Sequence, residues 1–194
     1  LPGGGTTDYA VEIFYAALKG EKFVCPVPHD RFMDMIYMPD VLNAMVQLME
    51  ADPSRLKHRN GYNVASMSFS PEIICAEIRK HIPSLEMVYE IDPVKDAISE
   101  GWPNLMDDSV ARAEWDWAPK WGLSEMTTDM LEVLGKRLGK YPAGVPSSDN
   151  AQDAGYREYR IRRFYPRLSR NPVTAGYSDG EAMSDGVDAG RKNT

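Results

Sequence analysis

Residues 1–10 read LPGGGTTDYA: three glycines, two threonines and an aspartate ahead of an apolar run. Glycines 3–5 can adopt positive φ and turn successive N–H groups inward. A helix starting near Asp8 adds amides that have no intrahelical acceptor. Thr6 and Thr7 bring hydroxyls that donate or accept. Such a corner suits an anion, a carboxylate as readily as a phosphate. It is neither a Walker A loop, which needs Gly-Lys-Ser/Thr, nor a GxGxxG turn between strand and helix. A tight turn with Thr7 or Asp8 capping the helix fits the same residues, and from these residues alone both readings stand.

Trp102 is the aromatic residue that stands apart. Gly101 before it and Pro103 after it impose an irregular loop, in which the ring either plugs the core or walls a pocket. Trp115, Trp117 and Trp121 are expected to pack the last helix onto the body. Histidines 29, 58 and 81 have no companions at ligand spacing, and no GxSxG or HExxH motif occurs. Asp107 and Asp108 read as caps and first-turn acids, not as an acid/base pair. The stretch YREYRIRRFYPR (156–167) interleaves aromatics with arginines; it can stack on RNA or touch acidic lipid, but reads best as a solvated arm.

The elements that must position these groups follow from local signals. Apolar residues at 9, 13, 16 and 17 give a helix stopped by Gly20. Short strands are expected at 22–27, 31–38, 61–66 and 86–91. Pro39-Asp40 opens a helix with an apolar stripe at 41, 42, 45, 48 and 49, and Ser70-Pro71 opens another over 70–82. Further helices are expected at 93–100, 107–115 and 124–138, the last capped by Ser124. GYNVA (61–65) reads as a parallel strand buried on both faces.

These signals make residues 1–140 an αβ domain, and the Gly-, Pro-, Ser- and Arg-rich residues 141–194 a disordered tail. Residues 1–140 carry 14 Lys and Arg against 22 Asp and Glu, so nucleic acid is not an expected partner. No apolar run reaches the length of a membrane span, so no membrane partner is expected either. Cys25 and Cys75 lack CxxC spacing and read as two buried thiols in a reducing compartment.

RFMDMIYMPDVLNAM (31–45), GYNVASMSFSPEIICAEI (61–78) and DDSVARAEWDWAPKWGLSEM (107–126) resemble, in this order, the extended short-chain dehydrogenase/reductase superfamily. Within it, PGGGTTDYAVEIFYAALKG, MIYMPD and WPN…DDS look like the NAD-dependent, epimerase-like L-threonine 3-dehydrogenases. The resemblance covers about residues 1–138. It implies an α/β fold: the substrate-binding lobe and last strands of a Rossmann-type doubly wound sheet. It carries Gly5, Thr6 and Thr7 onto the amino-acid pocket, with Trp102 as the wall that closes over it, and so makes a threonine carboxylate the ligand of the opening corner. It also implies NAD as cofactor, a homodimeric full-length enzyme, and a soluble location: mitochondrial matrix in a eukaryote, cytoplasm in a bacterium.

In that family the glycine fingerprint and the Tyr-x-x-x-Lys proton-transfer pair precede the PGGG loop. Tyr15-x-x-x-Lys19 has the literal spacing but lies after it, so no catalytic residue is expected in these 194 residues and the chain alone is expected to be inactive. Asp34 and Ile36 stand where the family usually has Pro and Met, and Gly101 where it has Ser or Thr; Asp34 is expected on an exposed face. A sugar-nucleotide epimerase or dehydratase is the nearest rival. Its diphosphate-gripping Arg belongs seven residues before Asp40, where Met33 stands, although Arg31 shares that strand face. A non-catalytic truncated remnant is the third reading.

Overall fold

The computed structural model describes residues 5–58 and 61–140, so the tail expected at 141–194 and its arginine-rich stretch lie outside the described residues. A single 3-10 turn, Thr6–Asp8, runs into helix α1 (Tyr9–Lys19). Strands β1 (Phe23–Cys25) and β2 (Met33–Met35) follow, then α2 (Met38–Glu50), β3 (Met67–Phe69), α3 (Pro71–Arg79) and β4 (Met87–Tyr89). Helices α4 (Pro93–Glu100), α5 (Ser109–Trp115) and α6 (Leu123–Leu138) complete the order.

The helix ends form where short-range chemistry dictates. Gly20 takes the left-handed conformation at φ 71°, and Glu21 N–H donates to the Ala16 carbonyl at 2.9 Å, closing α1 as a Schellman cap. Pro71 sits in the first turn of α3, where a missing N–H costs nothing. Asp92 caps α4, its Oδ1 accepting from Val94 N–H at 2.9 Å and Lys95 N–H at 3.3 Å. Two expected caps differ. Ser70 occupies the N-cap position of α3 without a side-chain cap bond, and Gly122, not Ser124, stands at the N-cap of α6.

β1 pairs parallel with β4, Phe23 opposite Met87, which is the pairing of a Rossmann-type sheet. β2 pairs antiparallel with β3, Asp34 opposite Ser68. GYNVA is not a strand; the ladder begins only at Met67. The polar groups of the 61–66 segment are spent elsewhere. Tyr62 Oη donates to Glu114 at 2.5 Å, Asn63 Nδ2 to the Asp107 carbonyl at 3.3 Å, and Ser66 Oγ to the Trp121 carbonyl at 2.9 Å. The segment therefore lies along α5 and the chain after it, with only Ala65 of GYNVA buried.

Two apolar clusters hold the fold. The larger joins α1, β1, α3 and α6 with β2 and β3, around Ile13, Phe14, Cys25, Met33, Phe69, Ile74 and Leu131. Both thiols lie free and buried in it, as expected. The smaller packs α2 onto α5 through Ala44, Ala111, Trp115 and Trp117. Trp115 and Trp117 thus serve α2, not the last helix, while Trp121 meets Tyr37 edge to face at 5.1 Å. The opposite face of α2 leaves Met38, Leu42, Met45 and Met49 exposed.

Candidate functional site

The threonine turn is built by its own aspartate. Gly5 has φ −72° and ψ 150°, so the positive φ expected of it is absent. Its N–H donates to Asp8 Oδ2 at 2.9 Å, and Asp8 N–H returns to the Gly5 carbonyl at 3.3 Å. Asp8 stands at the N-cap of α1 without a side-chain cap bond; its carboxylate closes the turn back onto Gly5, so one amide of the corner is already engaged. Thr6 is buried and Thr7 half-buried. A Cβ at Gly5 would come within 3.0 Å of the Asp8 carboxylate, so glycine is needed here for closeness and not for handedness. Tyr9, the next residue, is buried with its hydroxyl unpartnered among the described residues. Burial, with the nearby Cys25 adding, pushes that phenol far above its usual range.

Helix α4, which ends at the Trp102 loop, packs against this turn. Gly101 ends α4 in right-handed conformation, and Trp102 N–H donates to the Ser99 carbonyl at 3.2 Å. The indole is 41% exposed, which removes the core-plug reading. A partly exposed ring on a loop fastened to the end of α4 can cover a small ligand and exclude water.

Arg31 is drawn into the same frame. Its guanidinium meets Asp96 of α4 at 2.6 Å, with both side chains partly buried. This pair ties the chain just before β2 to α4. Asp34, expected on an exposed face, is only 8% exposed. Burial pushes its carboxyl up, donation from the Met106 N–H opposes this, and the charge of Asp108 adds to the rise. Nothing local betrayed that burial: an acid at the middle of a three-residue strand reads as solvent-facing unless its loop partners are known.

Among the described residues no three His, Cys, Asp or Glu converge as a metal site. No described strand passes through a glycine turn into a helix, so these residues offer no cradle for a dinucleotide and no step through one is derived from them. No described helix is long and apolar enough to cross a membrane.

No family model matches the chain. An uncharacterised epimerase/dehydratase of Staphylococcus haemolyticus is 49% identical over 133 residues, which is 69% of this chain and 42% of that protein. The GalE-like L-threonine dehydrogenase of Cupriavidus necator, in its apo form, is 50% identical with a TM-score of 0.67, covering 69% of this chain and 48% of that one. The L-threonine dehydrogenase of Clostridium difficile is 47% identical with a TM-score of 0.68, over 71% of this chain and 43% of that one. The chain thus spans less than half the length of the proteins it matches. The fold and these likenesses are those of part of an extended short-chain dehydrogenase of the epimerase/dehydratase type. Within the family, its neighbours in structure are the L-threonine 3-dehydrogenases, and the matched part is the substrate lobe with the last strands of the sheet.

Proposed function

We propose that this chain is the substrate-pocket portion of an NAD-dependent L-threonine 3-dehydrogenase, which oxidises L-threonine to 2-amino-3-oxobutanoate. The observation that carries the reading is the packing of α4 against the Thr6–Asp8 turn. It gathers two segments far apart in sequence, each of which the resemblance carries onto the amino-acid pocket. Half-identity to threonine dehydrogenases of known structure supports the substrate class.

In this reading the remaining first-turn amides of Thr6 and Thr7, with the Thr7 hydroxyl, hold the polar end of the amino acid. Trp102 shuts water from the reacting carbon. NAD, when bound, accepts the hydride from the C3 carbinol; its binding groups and the proton acceptor belong to a part of the enzyme that the described residues do not include. The test joins this chain in frame behind the dinucleotide-binding portion of the Cupriavidus necator enzyme. Threonine-dependent NADH formation is the expected result. Activity on a UDP-sugar instead of threonine overturns the reading in favour of an epimerase.

A further inference from the structure

We propose that the Arg31–Asp96 ion pair is the clamp that holds α4 against the Thr6–Asp8 turn, which makes both residues positioning residues of the pocket. The two lie 65 positions apart in sequence. Arg31 Nη2 donates to Asp96 Oδ1 at 2.6 Å, with both side chains partly buried. Arg31 stands just ahead of β2, its own N–H fastened to the Pro28 carbonyl at 3.2 Å. Asp96 stands in the first turn of α4. The pair therefore joins a braced segment to the helix that packs on the turn.

α4 needs such a clamp because little else holds its middle. Ser99 is its one buried residue, while Val94 and Ile98 are exposed. Among the described residues, none of α4 takes part in either apolar cluster. A helix without a buried apolar face has no core contact to fix where it lies. Its flanks are fastened by backbone bonds. Asp92 N–H donates to the Pro26 carbonyl at 2.9 Å before it, and Asp34 N–H to the Pro103 carbonyl at 3.1 Å after it. Between those points, among the described residues, Arg31–Asp96 is the side-chain bond that leaves α4 for another part of the fold.

The pair is costly to leave half made. Arg31 Nε is buried with no hydrogen-bond partner among the described residues, so the guanidinium keeps one donor unused even with Asp96 in place. Removing the carboxylate leaves that cation partly buried without a counter-charge, and the arginine must turn to water. α4 then loses its tie, while the turn keeps its own closure through Asp8. The consequence for binding is one of populations. Only molecules with α4 seated on the turn present a closed pocket, so loosening the clamp dilutes the competent form. Saturating substrate draws that form back, so KM rises while kcat holds.

The clamp matters to L-threonine only if the pocket reading holds, yet its own test needs no substrate. Hydrogen exchange is followed by mass spectrometry on the full 194-residue chain. Asp96→Ala is expected to speed exchange about ten-fold in peptides from α4 and from residues 5–12, and to spare those of α3 and α6. Asp96 also favours α4 by itself, as a carboxylate near the helix N-terminus. Arg31→Gln separates the two effects. It is expected to loosen the same peptides, and in its background Asp96→Ala is expected to add little. Asp96→Asn serves if the alanine variant fails to fold; it is expected to loosen the same peptides by less. Unchanged exchange, a change spread evenly over the chain, or full additivity of the two substitutions overturns the clamp. In the joined enzyme, Asp96→Ala is expected to raise KM for L-threonine about ten-fold at nearly constant kcat. A fall in kcat at constant KM overturns the positioning role. If exchange localises as expected while the joined enzyme turns over a UDP-sugar and not L-threonine, the threonine reading fails and the clamp stands.

Discussion

Thr7 and Asp8 are neighbours with opposite duties. Asp8 spends its carboxylate on the Gly5 amide, which closes the turn and leaves Thr7 half-exposed at its mouth. If Thr7 grips the amino acid, Thr7→Val is the sharp test, since it keeps the volume and deletes the hydroxyl. The joined, threonine-oxidising enzyme is expected to lose about 1.5–3 kcal/mol, roughly ten- to a hundred-fold in kcat/KM. Trp102→Ala is expected to raise KM and lower kcat together, because it opens the site as well as removing a contact. Steady-state kinetics on L-threonine checks both, and unchanged constants for both variants refute the assignment. The sequence made these two residues legible as candidates but hid how they are held. Asp8 as a cap was one of two open readings, and the burial of Asp34 depends on a loop some seventy residues away, which no local pattern encodes.

Among the elements, α2 and α5 are locked by two buried acids. Asp40 is 1% exposed, and its oxygens accept from Lys120 N–H at 3.0 Å and Trp121 N–H at 3.1 Å. Asp40→Ala leaves those amides unpaired in the interior and is expected to cost on the order of 3 kcal/mol, read from the urea midpoint. Glu114 of α5 gathers the 57–62 stretch. It accepts from Lys57 N–H at 2.8 Å and His58 N–H at 3.3 Å, lies 2.6 Å from His58 Nδ1, and also takes the Tyr62 hydroxyl. Burial acts to raise its carboxyl, but these bonds outweigh it and hold the group down at about 2. A carboxyl below its ordinary 4.5 stabilises the fold above that pH and loses this contribution as pH falls toward about 2. Glu114→Gln is therefore expected to be less stable than the parent near neutrality and to approach it in acid, as parallel urea titrations at neutral pH and pH ~3 would show; a constant gap refutes the role. The helices were legible because proline, aspartate and left-handed glycine mark their ends within a turn. The strands are three residues long and owe their pairing to tertiary partners, which is why GYNVA, apolar enough to read as a strand buried on both faces, lies along α5 instead.

On the scale of the whole molecule, the described residues supply the Thr6–Asp8 turn, the loop of Trp102 and a two-stranded parallel pair, β1 with β4. Parallel pairs ordinarily belong to wider sheets covered on both faces, in keeping with relatives more than twice this chain's matched length. The isolated chain is expected to form no NADH from threonine and to bind NAD too weakly for calorimetry; measurable turnover by these 194 residues alone would refute this. The pairing of Phe23 with Met87 has a further consequence in time. During synthesis β1 must wait for β4: roughly sixty residues follow Phe23 before Met87 can pair with it, so the parallel pair cannot form on a nascent chain until α2 and α3 have also been translated. A message cut short before that point would yield β1 without its partner, however well α1 had formed.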